Sequence, residues 1–161
     1  MLPLIKTSIP PKEILMPRLE KVLYSGYVAQ GEDVEEFERG FEKYIGGGHT
    51  LSLNSGTAAL HIALILAGVK EGDEVITTPF SFIASSNCIL YEKAKPVFVD
   101  VDEDTFNIDP KKIEEAITPN TKAILIVHIF GQSCDMKDIL QIARKRNLLI
   151  IEDACESIGA T

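Results

Sequence analysis

The sequence predicts an α/β fold with a mostly parallel sheet, and three observations carry that prediction. Lys122 to His128, KAILIVH, and Leu148 to Glu152, LLIIE, are nearly continuous apolar runs of strand length, the kind buried on both faces of a parallel sheet. Residues 54–68, NSGTAALHIALILAG, follow a short apolar run and consist almost wholly of apolar helix formers, with His61 the only strongly polar side chain. Elsewhere, stretches with helical periodicity alternate with short strand-like runs, the pattern of βα units.

The chain begins with an extended lead-in, residues 1–10, marked by Pro3 and Pro10. A helix is expected over Lys12 to Tyr24, broken or restarted at Pro17, because proline is accepted in a first turn and not in a helix interior. Ser25 and Gly26 end it, and a loop follows to Gly31. Asp33 with Glu36 resembles a capping box, after which Val34, Phe37, Phe41 and Tyr44 or Ile45 recur at helical spacing and should dock as one face. Gly46, Gly47 and Gly48 stop this helix. They do not form a dinucleotide-binding loop, because such loops follow a strand and open a helix, the reverse of the order here.

His49 to Leu53 reads as the first strand and Asn54 to Gly68 as a turn and a helix covered on most sides, with Ser55 or Thr57 as its cap. Glu74 to Thr78 is a short strand, Phe80 to Tyr91 a helix rich in small residues, and Pro96 to Val101 the next strand. Asp109 and Pro110 give a cap and first turn for a helix through Ile117. The strand KAILIVH follows, then a helix opened by Asp135 and Asp138, then the strand LLIIE with Asp153 at its end.

Length and composition bound what such a chain can be. The 161 residues suffice for one ordinary domain, at roughly 100–200 residues per domain, and an apolar fraction of 45% with 25% charged residues is that of a globular protein. No apolar run reaches the ~18 residues needed to cross a bilayer, and the start, MLPLIKTSIPPKE, has no basic segment followed by an apolar core, so the expectation is a cytoplasmic protein without a membrane partner. The net charge of −8 argues against a nucleic-acid partner, since such surfaces concentrate lysine and arginine. Cys88, Cys134 and Cys155 are odd in number and widely spaced, as free thiols in a reducing compartment are. Cys155 lies among acidic residues, which disfavour a thiolate and a nucleophilic role.

In open α/β sheets ligands collect at the carboxyl ends of the strands. Those ends carry Asn54 to Thr57, Pro79 to Phe82, His128 to Gly131 and Asp153 to Glu156: an anion seat at a helix N-terminus, an aromatic face and a carboxylate. The set suits a flat, phosphorylated, cationic heterocycle, with its phosphate on helix amides, a ring on Phe82 and a ring N–H on Asp153. Pyridoxal phosphate answers that description. Each residue also has a plainer reading: Ser55 and Thr57 as a helix cap, Phe82 as a core aromatic, Asp153 as a cap or a satisfied buried acid. Two other ligands fit less well. A Mg²⁺ nucleotide site on Glu152 and Asp153 lacks a phosphate-binding GxxxxGK[ST] loop, and His128, Cys134 and Cys155 match no usual zinc spacing, so no metal is expected.

Six stretches, in order, resemble the DegT/DnrJ/EryC1/StrS family of sugar aminotransferases: SGYVAQGEDVEEFERGFEKYIG, NSGTAALHIAL, GDEVITTPFSFIASSN, KPVFVDVDEDTFNIDP, VHIFGQSCDMKDI and LLIIEDACESIGAT. The resemblance implies a three-layer α/β/α fold of the pyridoxal-phosphate transferases of fold type I, with residues 1–161 forming part of the large domain. It implies that the backbone amides of Gly56, Thr57 and Ala58, helped by Ser55, hold the cofactor phosphate, that Phe82 stacks on the ring, that Asp153 pairs with its nitrogen as a catalytic residue, and that Glu156 approaches its hydroxyl. The loop Gly26, Tyr27, Val28 and Ala29 is similar to one that touches the substrate. The implied reaction moves an amino group from an amino acid, usually glutamate, to a keto sugar carried on a nucleotide, in a protein that is a homodimer when complete.

The family's Schiff-base lysine lies beyond the point matching Thr161, and so do two strands that in this topology separate the strand ending at Asn54 from the one ending at Glu152. Residues 1–161 are therefore expected to be an inactive N-terminal fragment whose sheet would carry a gap. Two rivals remain within the resemblance: a sugar dehydratase, in which histidine replaces the lysine, and a non-catalytic regulatory protein on the same scaffold.

Overall fold

The computed structural model describes residues 8–160, so most of the extended lead-in lies outside the described residues. Contacts divide the chain into two units, Met1–Ser52 and Leu53–Thr161.

The first unit holds α1 (Lys12–Ser25) and α2 (Glu32–Tyr44). Contrary to the expected break, α1 runs through Pro17: Glu13 and its neighbours are exposed, so water can take the carbonyl that proline leaves without a donor. The helix ends at Gly26, whose φ of 81° is the left-handed cap conformation that favours glycine. The capping box expected of Asp33 and Glu36 does not form. Gly31 holds the cap position, and both carboxylates turn to Arg18, Glu36 at 2.8 Å and Asp33 at 3.6 Å. The apolar stripe of α2 is present, with the Phe37 and Phe41 rings 6.0 Å apart, but Phe37 and Tyr44 stay exposed, so the expected docking face is not covered among the described residues.

The strand expected over His49 to Leu53 is also absent. The run joins no strand ladder among the described residues, and its Ser52 N–H instead donates to the Glu38 carboxylate at 2.7 Å.

The second unit is built on β1 (Glu74–Thr77), β2 (Lys95–Phe98), β3 (Thr121–Val127) and β4 (Leu149–Asp153), all parallel, in the order β2-β1-β3-β4. The strand β2 is shorter than the Pro96 to Val101 expected. It stops at Phe98, and Val101 instead makes a single antiparallel bridge to Ile108 across the acidic turn. Alternate residues of β3 serve two cores. Ala123, Leu125 and Val127 pack with Leu60 and Leu64 of α3 (Gly56–Leu66) and with Cys88 and Ile89 of α4 (Ala84–Tyr91). Ile124 and Ile126 pack with Ile113 of α5 (Pro110–Ala116) and with Ile139 and Ile142 of α6 (Met136–Arg146). Helices therefore lie on both faces of the sheet, which makes the three layers.

Two helix readings change in detail. The helix α4 starts at Ala84 rather than Phe80, because residues 80–83 form the turn leaving β1. The apolar helix α3 buries only Leu60 and Leu64, while Ile65 and Leu66 are exposed, so it is covered on one side rather than on most.

The topology positions a crevice. The chain leaves β1 toward α4 on one face and leaves β3 toward α6 on the other, although β1 and β3 are neighbours. Connections that part to opposite faces open a cleft outside the carboxyl ends of adjacent strands. Phe80, after β1, and Phe130, after β3, meet at this end with ring centroids 6.0 Å apart.

Candidate active site

At the start of α3, Ser55 is extended (φ −164°) and its Oγ accepts a hydrogen bond from the Ala58 N–H at 3.2 Å. The sequence left Ser55 and Thr57 open as caps, and the structure assigns the role to Ser55. Of the three amides expected to hold an anion, that of Ala58 is already engaged. The Gly56 and Thr57 N–H groups have no acceptor among the described residues and stand at the positive end of the helix dipole.

Asp153 ends β4, paired in register with Val127. It shares the parity of Ile151 and so belongs to the α3 and α4 face. Its side chain is only 7% exposed. The Ser85 hydroxyl donates to Oδ2 at 3.1 Å, and the Cys155 N–H donates to Oδ1 at 3.3 Å. No lysine, arginine or histidine pairs with it among the described residues. A buried carboxylate held by neutral donors alone is under-compensated, so a cationic group brought to it would be bound strongly.

Cys155 joins the acid to the start of α3. Its sulfur lies 3.0 Å from the position a Cβ on Gly56 would take, and its amide is the one bonded to Asp153. A hydrogen bond to Asp153, then burial, then the charges of Asp153 and Glu156 push the Cys155 thiol up to about 11, so it stands as neutral S–H near pH 7.

The aromatic and second acidic positions sit around this pair. Phe82 is 76% exposed, and its carbonyl accepts from the Ser85 N–H at 3.1 Å, one helical turn from the residue that holds Asp153. Glu156 accepts from the Phe130 N–H at 2.9 Å. Phe130 has a φ of 54°, unusual for a bulky residue, and its ring is exposed.

Two contributors, Ser85 and Asn107, were not singled out from the sequence. Ser85, 1% exposed, is joined to Ser81 at 2.8 Å as well as to Asp153. The i, i+4 spacing of Ser81 and Ser85 within SFIASSN was the available signal. Asn107, 3% exposed, bonds the loop after β3 at three points: Oδ1 accepts from the Ile129 N–H, and Nδ2 donates to the Gln132 and Ser133 carbonyls. His128 uses Nδ1 to accept from the Cys134 N–H at 3.0 Å, which leaves Nε2 as the N–H donor to Glu152 at 3.1 Å.

Both nitrogens of His128 are engaged and the Cys134 sulfur lies on the Val127 carbonyl at 3.2 Å; among the described residues no three His, Cys, Asp or Glu side chains are grouped as metal ligands. The loop Gly26, Tyr27, Val28 and Ala29 belongs to the first unit, where Tyr27 and Val28 are exposed beside a hollow of about 420 Å³ lined also by Lys21, Val22 and Ser25. No described helix is long and apolar enough to cross a membrane.

Comparison with known proteins bears on this geometry. Residues 11–161 match the DegT/DnrJ/EryC1/StrS aminotransferase family. GDP-perosamine synthase of Caulobacter vibrioides is 52% identical over 131 residues, covering 81% of this chain and 35% of that protein. Among solved structures, NtdA from Bacillus subtilis with bound cofactor PMP has a TM-score of 0.90 at 44% identity, covering 92% of this chain and 34% of that one. The PLP form of the putative sugar aminotransferase Spr1654 from Streptococcus pneumoniae also has a TM-score of 0.90, at 32% identity over 98% of this chain and 44% of that one. The chain spans about a third of the length of the first curated relatives it matches.

Proposed function

This chain belongs to the DegT/DnrJ/EryC1/StrS aminotransferase family, and from that premise we propose that it forms the N-terminal part of an enzyme that uses pyridoxal phosphate to transfer an amino group from glutamate to a keto sugar carried on a nucleotide. The observation that carries the reading is the buried Asp153, without a cationic partner among the described residues, joined through Cys155 to the open amides at Gly56 and Thr57.

The residues fit the group. Gly56 and Thr57 would donate backbone N–H bonds to the phosphate, with Ser55 and Ala58 shaping the turn that aims them. Asp153 would accept from the ring N–H and keep the proton there, held in place by Ser85 and the Cys155 amide. Phe82 would cover one ring face, and Glu156 would meet the ring hydroxyl. When bound, pyridoxal phosphate supplies an electron-withdrawing ring that lets a proton leave the carbon bearing the amino group. The loop Gly26 to Ala29 would contact the sugar nucleotide in an enzyme that is complete as a homodimer.

Lys95 opens β2 and Lys122 is the second residue of β3, both at the opposite end of the sheet from Asp153. The resemblance places the Schiff-base lysine after Thr161, so residues 1–161 by themselves would not transfer an amino group. The test is to supply the complete polypeptide with pyridoxal phosphate, glutamate and a nucleotide-linked keto sugar and to measure 2-oxoglutarate and amino sugar. Equal yields of both support the reading. Elimination of water from the sugar without 2-oxoglutarate would point to a dehydratase, and failure to bind pyridoxal phosphate to a regulatory protein.

A further inference from the structure

Asn107 lies on none of the strands or helices that carry the proposed cofactor contacts, yet its side chain makes three hydrogen bonds to the loop beside them. The side chain is buried, its Oδ1 accepts from the Ile129 N–H at 3.1 Å, and its Nδ2 donates to the carbonyls of Gln132 at 3.1 Å and Ser133 at 3.2 Å. Oxygen and nitrogen of the amide are thereby assigned, because Ile129 presents an N–H donor while Gln132 and Ser133 present carbonyl acceptors. Between the clamped residues stands Phe130, whose left-handed backbone aims its N–H at the Glu156 carboxylate, 2.9 Å away. The next residue, Gly131 (φ 83°), is packed so that a Cβ there would come 3.1 Å from the Glu156 carbonyl oxygen. The loop therefore meets Glu156 at its carboxylate and at its backbone. A bulky residue in the left-handed region is held there only by its surroundings, and Asn107 supplies bonds on both sides of it.

We propose that Asn107 is a positioning residue, fixing the Glu156 carboxylate through the loop Ile129–Ser133. For Glu156 to act on the cofactor this inference rests on the function proposed above, whereas the coupling itself does not. The side chain of Asn107 reaches the loop only. Its effect on the site passes through the Phe130 amide.

Hydrogen exchange on the complete polypeptide without cofactor reads that coupling at the Phe130 amide. Asn107→Ala and Glu156→Ala should each speed its exchange ~tenfold, the loss of about one hydrogen bond, and the double variant should exchange within about twofold of either single one, because both remove the same restraint. Glu156→Gln, which keeps an acceptor, should restore most of the protection. If Asn107→Ala does not fold, Asn107→Asp, which keeps the acceptor for Ile129 but loses the donors, is read in its place. The proposal is overturned if the Asn107 variant leaves Phe130 within twofold of the parent, if the two single effects multiply, or if the core amides of Val75 and Leu125 speed up as much as Phe130. A second arm titrates pyridoxal phosphate into parent and variants. Weakening by Asn107→Ala and Glu156→Ala that does not add supports the role at the site, and additive weakening contradicts it. A parent that binds no pyridoxal phosphate refutes the proposed function and leaves the exchange result standing.

Discussion

The Cys155 sulfur stands 3.0 Å from the place where a side-chain carbon on Gly56 would fall, so the first residue of α3 and the residue two places beyond the buried acid share one surface. Main-chain nitrogens suited to a phosphate and a carboxylate suited to a ring nitrogen thereby come to one end of the sheet.

Substitution at Gly56 tests that contact. Its backbone is not in the left-handed region, so alanine there would favour the helix by roughly 0.4–1 kcal/mol if space allowed. With Cys155 in place, Gly56→Ala should instead destabilise by about 1 kcal/mol or more through overpacking. In a Cys155→Ala background the sign should reverse. Urea unfolding of the four proteins gives the cycle, and a destabilisation of equal size in both backgrounds would rule the contact out.

The thiol of Cys155 carries a pH prediction. Its pKa is raised from 9.0 to about 11, chiefly by its bond to Asp153, so less thiolate is present at any pH below that value. Alkylation by iodoacetamide should lag an unperturbed cysteine by ~100-fold below pH 9 and climb tenfold per unit up to about pH 11. Asp153→Asn, which removes the charge and weakens the acceptor, should speed the reaction at pH 8. Bound pyridoxal phosphate should slow it. A rate that levels off near pH 9 in the parent would contradict the Asp153 contact.

Asp153→Asn should also separate stability from binding. It removes a buried charge that has no counter-ion among the described residues and keeps an acceptor for Ser85, so stability should hold or rise. Cofactor affinity should fall by about 2–5 kcal/mol, the effect of truncating one side of a desolvated charge pair. Equilibrium unfolding and a pyridoxal phosphate titration check the two halves, and loss of both together would make Asp153 a structural acid.

Ser55→Ala removes the cap bond to Ala58 and should destabilise by ~1 kcal/mol. Ser55→Asp keeps an acceptor for Ala58 and should retain stability while repelling phosphate. Thermal unfolding with and without inorganic phosphate distinguishes them: phosphate should raise the midpoint of the parent and not of the Asp variant.

Local chemistry made much of this legible in the sequence. Asp109 accepts from the Lys111 N–H at 2.9 Å and Asp135 from the Asp138 N–H at 3.3 Å, as their cap positions before Pro110 and Met136 imply. The apolar runs KAILIVH and LLIIE lie side by side as β3 and β4, which brings Asp153 level with Val127. What the sequence hid depends on partners far along the chain. Asn107 is one polar residue in a turn until folding brings Ile129, Gln132 and Ser133 to it. Asp33 and Glu36 have the spacing of a cap, but Arg18, from another helix, takes both carboxylates. His49 to Leu53 looks extended, and strand formation needs a neighbour that periodicity cannot supply.

The most direct measurement is a crystal structure of the complete polypeptide grown with pyridoxal phosphate. The account predicts phosphate oxygens about 2.7–3.2 Å from the Gly56 and Thr57 nitrogens and the ring nitrogen at similar distance from an Asp153 oxygen. A phosphate bound elsewhere, or a ring turned so that Asp153 faces no nitrogen, would contradict it.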